Sequence, residues 1–218
     1  MKALILVNGE LYKPDVLRKR LTGGSFDLVI GADAGAWHAI VLGLKVDVII
    51  GDMDSLSDLS GKDFGNARLI RYPAEKDETD LELALLYAKD KGADKIVMIG
   101  TMGGRMEMTV ANILLLTLES LKSSRVEIWH GDQTGWIIRP PGENVSGYPG
   151  DAVSLLPLNG PASGVSTEGL KYPLNNARLV PGPARGVSNV MQGPFASIKL
   201  SEGLLLAVQT RIKTLEGR

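Results

Sequence analysis

Acidic residues stand in three places where an apolar run gives way to a helix-like pattern. Asp33 lies in Gly31-Ala32-Asp33-Ala34-Gly35, just past a run ending at Ile30. Asp52 and Asp54 lie in Gly51-Asp52-Met53-Asp54-Ser55, just past Ile50, and Asp77 and Asp80 lie in Lys76-Asp77-Glu78-Thr79-Asp80, after a run ending near Arg71. Taken singly, an Asp at such a point is a turn former or a helix cap, and Thr79 reads as a cap in its own right. Taken together, acidic loops that each follow a strand converge in an open α/β sheet, because ligands bind in the crevice outside the strands' carboxyl ends. Carboxylates brought together raise one another's proton affinity unless a cation neutralises them. Oxygen ligands of this kind suit Mg²⁺, which keeps several waters and bridges the phosphates of a bound nucleotide.

A second cluster, Gly100-Thr101-Met102-Gly103-Gly104-Arg105, sits between a run ending at Ile99 and a helical pattern beginning near Glu107. Glycines let a backbone approach a phosphate, the helix start offers free N–H groups, and an Arg there bridges phosphate oxygens. With no Lys-Ser/Thr pair after it, this is not a P-loop, and it lacks the spacing of a dinucleotide fingerprint. The two histidines, His38 on a helical pattern and His130 at a change of texture, do not make a triad or an imidazole metal site. Trp129, Trp136 and the run Ile113 to Leu116 read as core.

The elements that must carry these residues alternate from Met1 to about His130. Short apolar runs at Ala3–Val7, Asp27–Ile30, Val46–Ile50, Arg68–Arg71, Lys95–Ile99 and Arg125–Trp129 predict strands, several continuous enough to be covered on both faces. Between them Pro14–Leu21, Gly35–Leu44, Thr79–Lys91 and Glu107–Leu121 predict helices. The third is the clearest, because Leu81, Ala84, Leu85 and Ala88 share one face and Thr79 with Glu82 makes a capping box. The expected fold is α/β: a doubly wound, mostly parallel domain over residues 1–131. After His130, Pro and Gly clusters at 140–142, 149–151 and 181–183 separate β-rich stretches at Gly135–Arg139, Ala152–Leu158, Ser197–Leu200 and Leu204–Thr210. These predict an antiparallel β-sandwich or barrel domain over residues 132–218.

The 218 residues are 44% hydrophobic and 22% charged, with a formal net charge of -1. A chain of this size builds its core without staples. Having no cysteine, it has no disulfide, thiolate zinc site or cysteine nucleophile. The charge balance gives no electrostatic reason for nucleic acid or an anionic membrane as partner. The apolar run after Lys2 is about five residues, against the roughly 7 to 15 of a signal peptide, so the expectation is a cytoplasmic protein.

Five motifs in order carry a resemblance: Gly51–Ser55, Lys76–Asp80, Gly103-Gly104-Arg105, Ser166-Thr167-Glu168-Gly169-Leu170-Lys171-Tyr172-Pro173-Leu174, and Gly186-Val187-Ser188-Asn189. From about Gly31 to Leu206 the chain resembles thiamine pyrophosphokinase. The resemblance implies a homodimer with an N-terminal α/β domain and a C-terminal thiamine-binding β-sandwich, transferring pyrophosphate from ATP to the hydroxyethyl oxygen of thiamine. It assigns Mg²⁺ and the nucleotide phosphates to Asp33, Asp52, Asp54 and Asp80, and nucleotide or substrate contacts to Lys76, Asp77, Thr79, Gly103, Gly104 and Arg105. Ser166, Thr167, Ser188 and Asn189 line the pocket on this reading, completed by the partner subunit. The family usually follows its Gly-Gly-Arg with Asp-His and an Asn four residues after the His. Here the pair is Glu107-Met108, with Asn112 retained, and Val190 stands where Glu commonly follows Ser-Asn.

The implied reaction is in-line attack of an acceptor hydroxyl on the β-phosphorus of ATP, with AMP leaving. Positioning and charge neutralisation by Mg²⁺ and Arg105 dominate such a step. Asp52, Asp54, Asp80 and Arg105 are the expected catalytic residues, with Asp80 and Asp54 both open as acceptor of the hydroxyl proton. Met108 and Val190 leave room for another heterocyclic alcohol, such as a hydroxymethyl pterin. A non-catalytic nucleotide or thiamine sensor is the alternative outside enzymes.

Overall fold

A computed structural model describes residues 1–52 and 64–212. The chain divides into two compact units, Met1–Gly131 and a second beginning at Asp132.

In the first unit, β1 (Lys2–Leu6), β2 (Leu28–Ala32), β3 (Val48–Gly51), β4 (Arg68–Arg71), β5 (Lys95–Ile99) and β6 (Arg125–His130) form a parallel sheet in the order β4-β3-β2-β1-β5-β6. The chain steps outward from β1 through β4, then returns to place β5 on the other side of β1. The crevice beyond the carboxyl ends of β1 and β5 is therefore the topological switch point of the sheet.

Both faces of the central strands are buried, as their unbroken apolar sequence requires. Leu4, Leu6, Val29, Ile49, Val97 and Ile99 pack with Leu17 and Leu21 of α1 (Pro14–Thr22) and Ala39 and Leu42 of α2 (Trp37–Leu42). The alternate residues, among them Ile5, Ile30, Ile50 and Met98, are buried on the opposite face. Helix α3 (Asp80–Asp90) contacts β1, β2 and β3 and buries Leu81, Leu83, Ala84, Leu85 and Ala88. Pro14 opens α1, where its missing N–H costs nothing, and Lys19 and Arg20 close it against the helix dipole.

The predicted helix over 107–121 is shorter than its apolar pattern suggests. Helix α4 covers Met106–Leu114 and is followed by 3₁₀ turns at Leu115–Thr117 and Glu119–Leu121. Thr117 Oγ1 donates to the Leu114 carbonyl at 2.8 Å, and Leu118 turns to an extended conformation, ψ 132°. The hydroxyl and the turn together take up carbonyls that a continuing helix would use.

The second unit is a β-sandwich whose described strands run antiparallel. These are β7 (Gln133–Ile138), β8 (Gly142–Ser146), β9 (Ala152–Glu168), β10 (Ala177–Leu179), β11 (Asn189–Val190), β12 (Phe195–Lys199) and β13 (Glu202–Thr210). The first part of β9 pairs with β13, which pairs with β7; its last residues pair with β12, which pairs with β8. One strand thus serves both sheets, and Trp136, Val153, Leu155, Val165, Ile198 and Leu205 fill the space between them.

The sequence predicts that strand over Ala152–Leu158. Instead Asn159 (φ 57°) and Gly160 (φ 122°) form an irregularity across which the β13 pairing shifts, and the strand goes on to Glu168. A bulge tolerates a proline and bends the strand between sheets. No helix of the described residues is long and apolar enough to cross a membrane.

Candidate active site

The loops at the switch point are held together by their backbones. After β1, Val7 N–H donates to Ile99 O and Gly9 N–H to Gly100 O, both at 2.8 Å, and Glu10 N–H donates to Met102 O at 2.6 Å. Gly100 adopts φ 77°, and a Cβ there would stand 2.2 Å from Val7 O. Glycine is required on both counts. His38 Nε2 donates to Gly9 O at 2.9 Å, so this histidine fixes the β1 loop.

Around these loops lies a cavity of about 330 Å³, lined in part by Asn8, Asp33, Asp80, Thr101, Met108 and Asn112. Gly103, Gly104, Arg105, Thr79, Val7 and Gly9 complete much of its wall. It is built wholly from the first unit.

Asp33 follows β2 at φ 46°, a left-handed conformation that Asp tolerates better than most residues. It is buried, and its Oδ1 has no hydrogen-bond partner. Thr101 Oγ1 and Asn112 Oδ1 are likewise buried and unpartnered. Such atoms carry an unpaid desolvation cost, so their collection on one cavity wall marks a place a ligand completes.

Asp80 is the first residue of α3. Burial pushes its carboxyl above the usual carboxylate range, Lys76 holds it back, and the nearby charges of Asp33 and Asp52 push it up again. The charges of Asp33 and Asp52 thus reach Asp80. Lys76 Nζ lies 3.0 Å from Asp80 Oδ1. Between them Thr79 caps α3, its Oγ1 accepting from Glu82 N–H at 3.2 Å. Asp77, in the same segment, is exposed.

Arg105 stands at the N-cap of α4, with its Nε 2.6 Å from Glu107 Oε1. Glu107 is held below the usual range by its own backbone N–H and by Arg105. Both side chains are exposed, so the pair is cheap to open.

Among the described residues no group of three His, Cys, Asp or Glu encloses a metal by itself. Mg²⁺ asks for less, usually one or two carboxylates with waters and substrate phosphates. An unpartnered buried Asp33 oxygen beside Asp80, with Asp52 within electrostatic reach, fits that demand. Asp54 lies outside the described residues.

Ser166, Thr167, Ser188 and Asn189 belong to the second unit, where they hold backbone. Ser166 Oγ accepts from Asn176 N–H and Thr167 Oγ1 from Leu174 N–H, both at 2.9 Å. Asn189 Oδ1 accepts from Tyr172 N–H at 2.9 Å, and its Nδ2 donates to Tyr172 O at 2.6 Å. Ser188, at φ 59°, donates its N–H to Ser154 Oγ. Ser166, Thr167 and Asn189 thus fix the loop that displays Tyr172, which is exposed, whereas Ser188 is tied to β9.

The sequence reading did not place Asn8 or Gly9 in the site and took Thr101 only as part of the glycine-rich turn. The signal was present, since Asn8-Gly9 ends the first strand of an α/β unit, but its neighbour across the switch point was not yet known.

Residues 22–129 match the description "Thiamin pyrophosphokinase, catalytic domain", and residues 138–205 match "Thiamin pyrophosphokinase, vitamin B1 binding domain". A thiamine pyrophosphokinase of Bacillus subtilis is 30% identical over 217 residues, covering 96% of this chain and 99% of that protein. The chain belongs to the thiamine pyrophosphokinase family.

Solved thiamine pyrophosphokinase structures share its fold. That of Bacillus subtilis superposes with a TM-score of 0.83 at 24% identity, covering 98% of this chain and 100% of the other. The yeast thiamin pyrophosphokinase gives 0.79 at 19% identity, covering 96% and 86%.

Proposed function

We propose that the chain is an ATP-dependent diphosphotransferase that makes thiamine diphosphate and AMP from ATP and thiamine. The observation that carries this is the set of buried, unpartnered polar atoms of Asp33, Thr101 and Asn112 on one cavity wall at the switch point of the sheet.

Asp33, Asp52 and Asp80 would hold Mg²⁺, with Asp54 assigned by its motif alone. When bound, Mg²⁺ supplies neutralisation of charge on the phosphate chain. Gly103 and Gly104 give the phosphates close access to backbone, and Arg105, released from its exposed pair with Glu107, adds charge where the leaving group develops it. Lys76 favours the charged form of Asp80, Thr79 caps its helix, and Asp77 lies exposed in the same segment. Asp54 and Asp80 remain the two candidates to take the acceptor's proton. Ser166, Thr167 and Asn189 would serve thiamine by fixing the Tyr172 loop, and Ser188 by its place beside Asn189.

The vitamin B1 binding description of residues 138–205 supports thiamine over a pterin alcohol as acceptor. For a homodimer the support is a stripe of exposed apolar residues, Met106, Val110 and Leu114, along α4. We place the reaction in the cytoplasm, with no nucleic acid or membrane partner.

The test is AMP release from ATP and Mg²⁺ with and without thiamine, followed by mass spectrometry. Thiamine-dependent AMP with thiamine diphosphate as product is expected. ATP binding without thiamine-dependent AMP would overturn the reading, leaving another acceptor or a sensor.

A further inference from the structure

Thr101 and Asn112 are linked in a way that fixes what they present to the cavity. Asn112 Nδ2 donates to the Thr101 backbone carbonyl at 2.8 Å. A carbonyl accepts only, so the amide has one permitted orientation, with Oδ1 on the other side. That Oδ1 and Thr101 Oγ1 are buried, lack a partner among the described residues, and belong to residues lining the cavity. Met108, one turn before Asn112 on α4, lines the same cavity and supplies no strong donor to either oxygen.

An amide oxygen is completed by a hydrogen-bond donor or by a cation, and Asp33, Asp52 and Asp80 offer a cation charged oxygens in preference to it. Phosphate oxygens ionised at neutral pH are acceptors and would repel it. We infer that Thr101 and Asn112 form a recognition pair for a neutral O–H or N–H group of the small molecule, and that the phosphate chain lies away from them, toward Gly103–Arg105. This rests on the proposed diphosphotransfer from ATP. The donor belongs either to the nucleotide's sugar or base or to the acceptor alcohol. Both sources share the chemistry, and the experiment separates them.

Thr101→Val, Thr101→Ser and Asn112→Ala are compared with the unsubstituted protein by calorimetric binding of ATP with Mg²⁺, of thiamine and of inorganic tripolyphosphate, alongside kcat and KM. The hydroxyl that Thr101→Val removes bonds to nothing among the described residues, so its thermal midpoint stays level or rises. Its Kd and KM weaken about tenfold for one of the two substrates, and the substrate affected names the donor's source. Thr101→Ser keeps the hydroxyl and retains affinity, Asn112→Ala weakens the same substrate, and tripolyphosphate binds all forms alike.

Unchanged affinity for both substrates in Thr101→Val overturns the inference, as does an equal loss for tripolyphosphate. A protein that makes no thiamine diphosphate, yet loses affinity selectively in Thr101→Val, would fail the catalytic reading and keep this one.

Discussion

Lys76 and Asp80 are joined across the cap of α3, with Lys76 Nζ 3.0 Å from Asp80 Oδ1 and 3.1 Å from the Pro73 carbonyl it donates to. The ammonium favours the charged form of a half-buried carboxylate against burial and the charges of Asp33 and Asp52. Lys76→Met should raise the Asp80 pKa further, cost about 1.5–3 kcal/mol in the ligand-free protein, and lower kcat/KM at least about tenfold. Urea denaturation with steady-state kinetics checks both. Unchanged stability and turnover would show the ammonium to be incidental.

Asp33→Asn keeps the size of a residue that tolerates its left-handed backbone and removes a buried charge with an unpartnered oxygen. The thermal midpoint should hold or rise while kcat falls roughly 10²–10³-fold. Asp52→Asn should lower kcat likewise. Full activity in both variants would remove the acidic loops from the chemistry.

Gly100→Ala combines φ 77° with a Cβ 2.2 Å from the Val7 carbonyl. Strain alone is worth about 1–3 kcal/mol, and its relief must part the β1 and β5 loops. Stability and ATP affinity should fall together in denaturation and calorimetry. A fully stable variant that still binds ATP would show that the loops tolerate parting.

Glu127 on β6 is buried. Burial alone would raise its pKa, but the Trp129 indole N–H, Lys95 and Arg125 outweigh it and hold the carboxyl below its ordinary 4.5. A depressed carboxylate stabilises the fold fully above its unfolded pKa, and that stabilisation is lost as pH falls through the folded value. Glu127→Gln should therefore cost about 1–3 kcal/mol at neutral pH, with the difference shrinking below about pH 4.5. Equal stability curves at all pH values would contradict the assignment. Lys2, whose pKa burial and Lys95 lower while Glu127 and Asp27 raise it, belongs to the same cluster.

The parallel sheet was legible because its central strands announce burial on both faces through unbroken runs such as Leu4-Ile5-Leu6 and Val97-Met98-Ile99. Helix α3 was legible because Thr79 is a local cap and its apolar stripe is a local period. Where local signals conflicted, tertiary context won. Asn159-Gly160 lies just past the predicted end of its strand, yet pairing with β13 on one side and β12 on the other makes it a bulge. The α4 pattern continues through Leu116, but chain geometry after Leu114 ends the helix.

The sequence by itself determined the element types, the acidic loops and the glycine turn, because each depends on residues near one another in the chain. Only the tertiary structure decided that Asn8-Gly9 meets Gly100–Met102. That meeting follows from β5 lying beside β1, a pairing between segments some ninety residues apart. Spatial packing likewise buries Thr101 Oγ1 and Asn112 Oδ1 without partners among the described residues, and in the second unit it turns Ser166, Thr167 and Asn189 onto backbone. Whether a polar atom is satisfied depends on every neighbour in space, and a linear pattern holds only the neighbours in the chain.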